Sequence, residues 1–542
     1  MKFLNLKNIA LGALGLTMFS CDSFLTTPPL DAIPDDSWWK DKLQVQMMVD
    51  NTYSYLPNET EIVIWDCLSD NGYHRHGTKN IANGTFTTTD GIVGNCWKYG
   101  AIARINYVLE GLEKAKDVIT EEEYLGFKAE AQFIRAYTYY NMLFRFGDVP
   151  LIKKTLTVAE SRETSRQPRA EVLNFVLDEL ENKVLPHVQN ADKVQAGRVN
   201  KQVVDAFLAR VYLYEKNYEK AVKHADAVIN SNQYELFNDY EELFKPQADK
   251  TNKEVIFERQ YSSPLYVHTL NRTLSYSGSI YSGWSEIMLL QDLVDEYECI
   301  NGHDVSKCEE LGCEYHQRRL DETTENHRGE YDYRDPRLNG TVIWPFKEWK
   351  VGDEVRCTFG VDDKSSRDNV IKETHHTGFL VNKWLDLKGE FLDRTRGEKN
   401  LTIIRYADVL LMKAEALIEM NKDFSVAVDL INQVRARVQM PAISVSNQAD
   451  LREKVRHERR VELAFEGLRR DDIIRWKIGD QTLGTKAGKP TYGARLKLLG
   501  EPGNPMPNKF MEKRFWDDKM YLFPVPQGAI DNNANLTQNP GW

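Results

Sequence analysis

Two loop-like segments of the sequence combine flat aromatic side chains with polar side chains that can hold a ligand. The first runs from Ser69 to His76 and the second from 276 to 284. Aromatic rings offer flat apolar contact surfaces, and the carboxylate, imidazole and guanidinium groups around them donate or accept hydrogen bonds. Loop residues of this kind are often functional. The candidate ligand-binding residues are Asp70, Tyr73, His74, Arg75, Tyr276, Tyr281 and Trp284.

A second concentration of charge, from Glu458 to Arg470, has the composition of an active site but favours a different chemistry. On one continuous helix, Glu458, Glu462 and Glu466 would share a face at four-residue spacing. Arginines surround them in the sequence, and guanidinium groups stabilise ionised carboxylates, which favours ion pairing over proton donation. We therefore predict a structural ion-pair network here.

Catalytic motifs are absent from the sequence. A glycoside hydrolase needs two opposed carboxylates about 5–10 Å apart, and no spacing in the sequence marks such a pair. HExxH, GxSxG and phosphate-binding glycine motifs do not occur. We predict a protein that is not an enzyme and needs no cofactor, with an exported glycoside hydrolase as the alternative. The acidic residues available to that alternative are Asp66, Asp70, Asp292 and Asp295.

The cysteines that follow Cys21 allow several arrangements, since export permits disulfides. Cys67 and Cys96 bracket one loop-like segment and are candidates for a bridge. A second group, of cysteines and histidines, has no CxxC spacing. These residues could form a metal site or a loop disulfide, or the cysteines could be free thiols. We predict no metal there. The members of this group are Cys299, His303, Cys308, Cys313 and His316.

The N-terminus predicts export followed by lipidation. Basic residues precede an apolar run from Ile9 to Phe19, which is too short to span a bilayer. Ser20-Cys21 then resembles the lipobox of bacterial lipoproteins, in which the cysteine is acylated; a plain signal peptide is the alternative. We expect residues 1–20 to be a signal peptide and 21–40 a lipidated tether, whose acyl chains anchor the protein to a membrane.

Composition limits the classes of function. The net charge of −11 argues against nucleic acid, which binds basic surfaces. After the N-terminus, no apolar run approaches the ~20 residues of a spanning helix. The sequence therefore predicts a chain that is tethered to a membrane rather than embedded in it.

Helical periodicity predicts an all-α, mainly helical fold. Thr120 and Glu123 have the spacing of a capping box at the start of one helix. Turns of two to four residues join several of the helices into pairs that resemble tetratricopeptide units, with a plain bundle as the alternative. The expected helices are 92–115, 121–146, 169–184, 201–215, 218–230, 403–420 and 424–438, and one between 41 and 57.

Long loops interrupt this scaffold. We place tetratricopeptide-like pairs over 92–231 and 403–476, and irregular loops with minor β content at about 59–95 and 245–399. Helical periodicity reappears within the second loop region only at 286–297. Insertions of this length in a compact chain are commonly functional, so we expect 41–542 to be a single domain with ligand-binding loops.

Several sequence blocks recur in the order that one known family shows. The most characteristic are Arg405–Leu411 and Glu458–Arg470. Together they span nearly the whole mature chain, and the sequence resembles the SusD/RagB family of nutrient-binding outer-membrane lipoproteins of Bacteroidetes. The other blocks are Trp97–Asn106, Ala129–Tyr137, Arg145–Leu151, Gly197–Val199, Arg334–Leu338, Ala414–Ala416, Arg475-Trp476 and Phe523–Gly541.

The resemblance implies a glycan-binding role at the cell surface and a SusC-like TonB-dependent transporter as partner in the outer membrane. Sugars present apolar C–H faces and hydroxyl rims, which suit aromatic rings flanked by polar groups. Ser282–Ser285 resembles a segment of the starch-binding member whose tryptophan contacts the glucan. The resemblance therefore implies that Trp284 is the first candidate for ligand contact. The Asp70–His76 loop has no tryptophan, which argues against starch. A helical protein-interaction scaffold is the remaining alternative.

Overall fold

The computed structural model of the chain describes residues 38–77, 79–275, 283–319, 331–344, 347–351, 354–357, 377–386, 395–494 and 510–542. The predicted signal peptide, Cys21, Tyr276 and Tyr281 lie outside these residues. Within them, no helix combines the length and the apolar character needed to cross a bilayer. That 41–542 forms a single domain stays a prediction.

The described chain is mainly helical, as the sequence predicts. The helices are, in chain order, α1 (Lys42–Thr52), α2 (Glu59–Ile62), α3 (Lys79–Ala82), α4 (Gly91–Cys96), α5 (Tyr99–Lys114), α6 (Glu121–Phe146), α7 (Val158–Ser161), α8 (Arg169–Asp178), α9 (Lys201–Tyr214), α10 (Tyr218–Ile229), α11 (Leu270–Leu274), α12 (Gln291–Glu296), α13 (Glu314–Arg319), α14 (Arg337–Thr341), α15 (Tyr406–Glu419), α16 (Phe424–Arg437), α17 (Gln448–Glu462), α18 (Arg469–Trp476), α19 (Gly479–Leu483) and α20 (Gln527–Asn532).

The start of α6 confirms the predicted capping box. The Glu123 N–H donates to the Thr120 hydroxyl at 3.2 Å, and the Thr120 N–H donates to the Glu123 carboxylate at 3.0 Å. The single helix predicted over 92–115 is wrong, because the chain leaves helical geometry at Trp97 and forms α4 and α5 instead. The Trp97 ring packs edge-on against Phe146, with centroids 4.9 Å apart, so tertiary packing overrides the helical periodicity.

Paired helices form the scaffold, which confirms the tetratricopeptide-like interpretation. Helix α9 packs against α10, α10 against α15, and α15 against both α16 and α17. Short turns join α9 to α10 and α15 to α16, so the helices of each pair run antiparallel. Ala407, Ala414 and Ala427 are fully buried between them. Their small side chains let neighbouring helices approach closely.

Short antiparallel strands tie the loops to this scaffold. Two predicted helices are wrong here: 403–420 begins only at Tyr406, and 286–297 is divided between a strand and α12. Ile404 lies in a strand opposite Phe257, where a β-branched side chain packs well. The strands are β1 (Gly72–His74), β2 (Val255–Arg259), β3 (Ile287–Leu289), β4 (Val342–Ile343), β5 (Glu348–Val351), β6 (Glu354–Cys357), β7 (Leu380–Val381), β8 (Leu401–Arg405), β9 (Lys489–Tyr492) and β10 (Phe510–Arg514), paired β1–β3, β2–β8, β4–β7, β5–β6 and β9–β10.

The charged block is a buried ion-pair network, as predicted. The Glu462 carboxylate accepts hydrogen bonds from Arg337 at 2.9 Å, Arg405 at 2.6 Å and Arg437 at 2.5 Å. Burial alone would raise the pKa of Glu462, but the three guanidinium groups outweigh it and hold that pKa well below its usual value. Because these arginines come from three separate segments, the network joins the loops to the paired helices.

The prediction that one helical face carries all three glutamates is wrong. Helix α17 ends at Glu462, and the chain turns through Phe465 and Gly467, whose φ angles are 59° and 78°. Glu466 reaches the network from this turn and pairs with Arg405 at 2.7 Å and Lys383 at 2.6 Å. The ion-pairing role of the block was predictable from the sequence, whereas the turn and the distant partners Arg405 and Lys383 were not.

Candidate functional site

The two candidate ligand-binding loops meet at a short antiparallel sheet. In the pairing of β1 with β3, His74 lies opposite Ile287. One residue further along, the Arg75 N–H donates to the Glu286 carbonyl at 2.8 Å. This register places the first loop beside the residues that directly follow Trp284, although the two loops are far apart in the sequence.

Trp284 stands on a well-supported backbone. Its N–H donates to the Arg272 carbonyl at 2.8 Å, and the Ser285 N–H donates to the Ser275 carbonyl at 3.0 Å. A Cβ added at Gly283 would lie 2.3 Å from the Ser275 carbonyl oxygen, so this close approach requires glycine. The backbone on both sides of the indole is therefore fixed against the end of α11.

The Trp284 indole is exposed and backed by a cation. Its exposed fraction is 44%, and the Arg272 guanidinium carbon lies 4.0 Å from the ring centroid. Trp344 and Trp384, by contrast, are buried. A cation against the ring restrains its orientation. We call Arg75, Arg272 and Trp284 the Trp284 surface; nothing in the sequence marked Arg272 as a member.

Asp70, unlike Trp284, is not exposed. Its carboxylate is buried and pairs with Arg460 at 2.9 Å and Arg469 at 2.8 Å. Burial opposes the ionised form, but the two arginines outweigh it and lower the pKa of Asp70 below its usual range. The geometry gives Asp70 a structural role, and its contact with a ligand stays a prediction.

The other predicted residues differ in their exposure. Tyr73 and His74 lie in β1 and are buried, whereas Arg75, just beyond the strand, is half-buried. Tyr276 and Tyr281 lie outside the described residues. Among the predicted residues that the structure describes, Trp284 and Arg75 are the most exposed to solvent. Contact of any of the predicted residues with a ligand stays a prediction.

A concave surface elsewhere in the molecule was missed by sequence reasoning. A groove of about 420 Å³ lies between the end of α1, residues 195–198 and the end of β2. We call it the Tyr266 groove, since the 41% exposed ring of Tyr266 lines it and stacks on Tyr261 with centroids 5.0 Å apart. The volume is within the usual range for small ligands. Its walls come from three distant segments, and no local motif announces it.

The charged groups of the Tyr266 groove all have polar partners. Arg198 pairs with Asp50 at 2.8 Å and with Glu130 at 2.9 Å. Glu258, which is half-buried, accepts a hydrogen bond from Asn400 at 2.8 Å. The pKa of Glu258 is raised to about 7, mainly by burial and secondly by the nearby Asp249 carboxylate. This carboxyl group has the proton affinity that a general acid needs.

The four aspartates considered from the sequence for a hydrolase are all engaged in the structure. Asp66 is buried and accepts hydrogen bonds from Asn71 at 2.7 Å and from the Gly467 N–H at 2.8 Å. Asp292 pairs with Lys489 at 3.1 Å, and Asp295 accepts from Gln291 at 2.9 Å. With Asp70 also ion-paired, this set does not form an opposed pair around a cleft.

The disulfide considered between Cys67 and Cys96 is wrong. Both residues are buried free thiols. The Cys67 sulphur packs against Gly72, where an added Cβ would lie 3.0 Å from it. Burial raises the pKa of Cys96 to about 11. These thiols act as small apolar groups in the core.

Comparison with known proteins covers most of the chain. The sequence model of the SusD family matches residues 253–542, and a second model, described as starch-binding and associating with the outer membrane, matches 31–213. SusD-like protein P2 of Formosa agariphila is 24% identical over 97% of this chain and 98% of its own length. The starch-binding protein SusD of Bacteroides thetaiotaomicron is 23% identical over 81% of this chain and 76% of its own.

Solved structures agree with these sequence matches. A SusD-like carbohydrate-binding protein from Bacteroides fragilis is 26% identical, with a TM-score of 0.80 over 92% of this chain and all of its own. A laminarin-binding SusD-like protein shares the fold, with a TM-score of 0.65 at 21% identity over 93% of this chain and 100% of its own. The family model alone spans more than half of the sequence, and the paired helices and ordered motifs are those that the resemblance implied. The chain therefore belongs to the SusD family.

Proposed function

We propose that this protein is a cell-surface glycan-binding lipoprotein that captures oligosaccharide or polysaccharide without cleaving it. It then delivers the glycan to a SusC-like TonB-dependent transporter in the outer membrane. The observation that carries the proposal is the Trp284 surface, where an exposed indole is fixed on a rigid backbone beside polar groups. An aromatic face of this kind stacks on the apolar face of a pyranose ring, and guanidinium groups can donate to its hydroxyls.

The names of the relatives support a sugar as the ligand. One is a starch-binding protein and another a carbohydrate-binding protein. In the Tyr266 groove, by contrast, Arg198 is already ion-paired with Asp50 and Glu130, which favours the Trp284 surface as the site. The absence of tryptophan from the Asp70–His76 loop still argues against starch. The guanidinium groups of Arg75 and Arg272 favour a glycan that carries carboxylate or sulphate groups.

A glycan array probed with the purified protein tests the ligand class. We expect binding to one group of glycans, strongest among acidic ones, with no release of reducing sugar on prolonged incubation. Binding to none of a broad panel would contradict the glycan assignment.

Hydrolysis is the second candidate function, because the pKa of Glu258 is raised to about 7 at the Tyr266 groove. It predicts slow release of reducing sugar that Glu258→Gln abolishes. We expect no such release from wild-type protein, and a release that depends on Glu258 would overturn the proposal that the protein only binds.

The membrane anchor and the transporter complete the proposal. Lipid on Cys21 would hold the binding protein at high effective concentration beside its partner. We expect Cys21→Ser to move the protein from the membrane fraction to the soluble fraction after export. We also expect a transporter of the SusC type to co-purify with wild-type protein from detergent extracts. Membrane retention of the Cys21→Ser variant would contradict the anchor.

A further inference from the structure

Three cysteine sulphurs converge in the segment that follows α12. The sulphur atoms of Cys299, Cys308 and Cys313 all lie within 4.8 Å of one another, and all three residues are buried. Among the residues that the structure describes, this is the group of histidine, cysteine and acidic side chains whose geometry suits a metal ion. Three thiols rarely meet at one point unless a shared ligand holds them.

A histidine stands beside the three sulphurs. The Nδ1 atom of His303 lies 3.1 Å from the Cys313 sulphur. The backbone holds it there, because the Cys299 N–H donates to the His303 carbonyl at 2.9 Å in a tight turn. The Cys313 N–H likewise donates to the Cys308 carbonyl at 3.0 Å. Backbone hydrogen bonds thus hold Cys299 close to His303, and Cys308 close to Cys313.

The packing around the three cysteines shows why this segment needs a cross-link for stability. Its apolar cluster is separate from the main core and contains, besides the three cysteines, only Val305 and Tyr315. So small a cluster buries little apolar surface, and structural metals supply folding energy in units of this kind. A disulfide would bring two sulphurs to about 2.05 Å, leaving the third thiol and the imidazole without a function.

We propose that Cys299, His303, Cys308 and Cys313 bind one zinc ion as a structural site. Three thiolates and one neutral imidazole make a donor set that suits tetrahedral Zn²⁺. The ion replaces the three thiol protons, which pass to solvent, and no oxidant or reductant takes part. The sequence prediction of no metal rested on the missing CxxC spacing, and the fold supplies the convergence that the spacing does not show.

The site would stabilise the support of the Trp284 surface. The segment lies directly after β3 and α12, and its Ile300 N–H donates to the Tyr333 carbonyl at 2.7 Å. Glu298, next to Cys299, pairs with Arg435 at 2.9 Å in the buried network. Zinc would therefore fix the loop between these two attachments.

Metal analysis of the exported protein, purified without added chelator, is the first test. We expect one zinc per chain by mass spectrometry of the metal. Peptide mapping should show that Cys299, Cys308 and Cys313 react with a thiol reagent only after denaturation with chelator, in addition to the buried thiols of Cys67 and Cys96. Cobalt(II) exchanged into the site should show thiolate-to-cobalt charge-transfer absorption. Absence of zinc together with an intact mass lower by two hydrogens, from a disulfide within the trio, would overturn the proposal.

Variants separate the ligands from their neighbours. Cys308→Ser should lose the zinc, and His303→Ala should weaken zinc retention against a chelator by more than the roughly 10- to 100-fold that loss of a supporting residue costs. His316→Ala is the matched control, and its zinc retention should equal that of wild type. Equal retention in His303→Ala and wild type would refute the imidazole ligand. If Cys308→Ser fails to fold, the Tm of wild-type protein should still fall when chelator is added, and an unchanged Tm would refute the structural site.

Discussion

The Trp284 surface and the Tyr266 groove present the same local chemistry on different supports. Each has an exposed aromatic ring against an arginine: Arg272 lies 4.0 Å from the Trp284 ring centroid, and Arg259 lies 5.4 Å from that of Tyr266. The groove is concave, and its Arg198–Asp50 ion pair is partly exposed. In the first candidate loop, by contrast, Asp70 is buried and pairs with two buried arginines, Arg460 and Arg469.

This difference shows that an exposed aromatic ring is not by itself evidence of a binding site. The two rings are almost equally exposed, at 44% and 41%. What separates the two regions is the exposure of their ion pairs: the Arg198–Asp50 pair of the groove is partly exposed, whereas the Asp70 pairs of the first loop are buried. The Arg272 guanidinium lies against the Trp284 ring, and the difference between the two regions can be tested residue by residue.

The largest expected effect is the loss of the buried Asp70 charge. Asp70→Ala leaves Arg469 buried without its carboxylate partner and Arg460 with Glu296 alone, which should cost about 3–5 kcal/mol of the free energy of unfolding. Urea denaturation followed by circular dichroism measures it. A variant that keeps wild-type stability but loses glycan binding would instead give Asp70 a direct role in the site.

Asp50→Ala is the matched control at the groove. The Asp50 side chain is 44% exposed where it pairs with Arg198, and exposed pairs contribute only about 0–1 kcal/mol. We expect its unfolding midpoint to stay close to that of wild type. A loss as large as that of Asp70→Ala would erase the contrast between the two supports.

The next effect concerns the pH dependence of stability at the groove. Burial and Asp249 raise the pKa of Glu258 to about 7, whereas an unfolded glutamate titrates near about 4.3. The folded state holds this proton more tightly, so its stabilising contribution is full below pH ~4.3 and is lost as the pH rises through about 7. Glu258→Gln removes this titrating group, so the fall in Tm between roughly pH 5 and pH 8 should be smaller than in wild-type protein. Parallel Tm profiles for the two proteins would contradict the raised pKa.

The smallest effect is expected from the cation behind Trp284. Removal of the guanidinium group in Arg272→Ala should weaken glycan binding by about 0.5–1 kcal/mol, roughly a two- to fivefold rise in Kd. Arg272→Lys should retain part of the lost affinity. Isothermal titration of the three proteins measures the difference, and an unchanged Kd in Arg272→Ala would remove Arg272 from the site.

The sequence predicts the elements that depend on local chemistry. The capping box of Thr120 and Glu123 and the helices that follow regular apolar spacing depend on neighbouring residues. The charges of Glu458–Arg470 predict an ion-pair network, but the partners of Glu462 come from distant segments. Ile404 was assigned to a helix because its apolar spacing fits one. Only its pairing opposite Phe257 shows that it lies in a strand.

The candidate site shows the same limit more sharply. Trp284 could be singled out from its own segment, but its proximity to the Arg75 loop depends on the register of β1 and β3. The Tyr266 groove is assembled from three distant segments. Likewise, the convergence of Cys299, Cys308 and Cys313 follows from backbone turns rather than from a spacing motif. Long-range contacts, which a single sequence does not display, decide all three.

The most direct test of the central claim is the affinity of Trp284→Ala and Tyr266→Ala for the glycan that binds wild-type protein most tightly. Trp284→Ala should lose about 2 kcal/mol or more, roughly 30-fold in Kd, as expected for a central aromatic contact. Tyr266→Ala should bind as wild type does. The reverse result, with affinity lost only in Tyr266→Ala, would place the ligand in the groove and contradict the account.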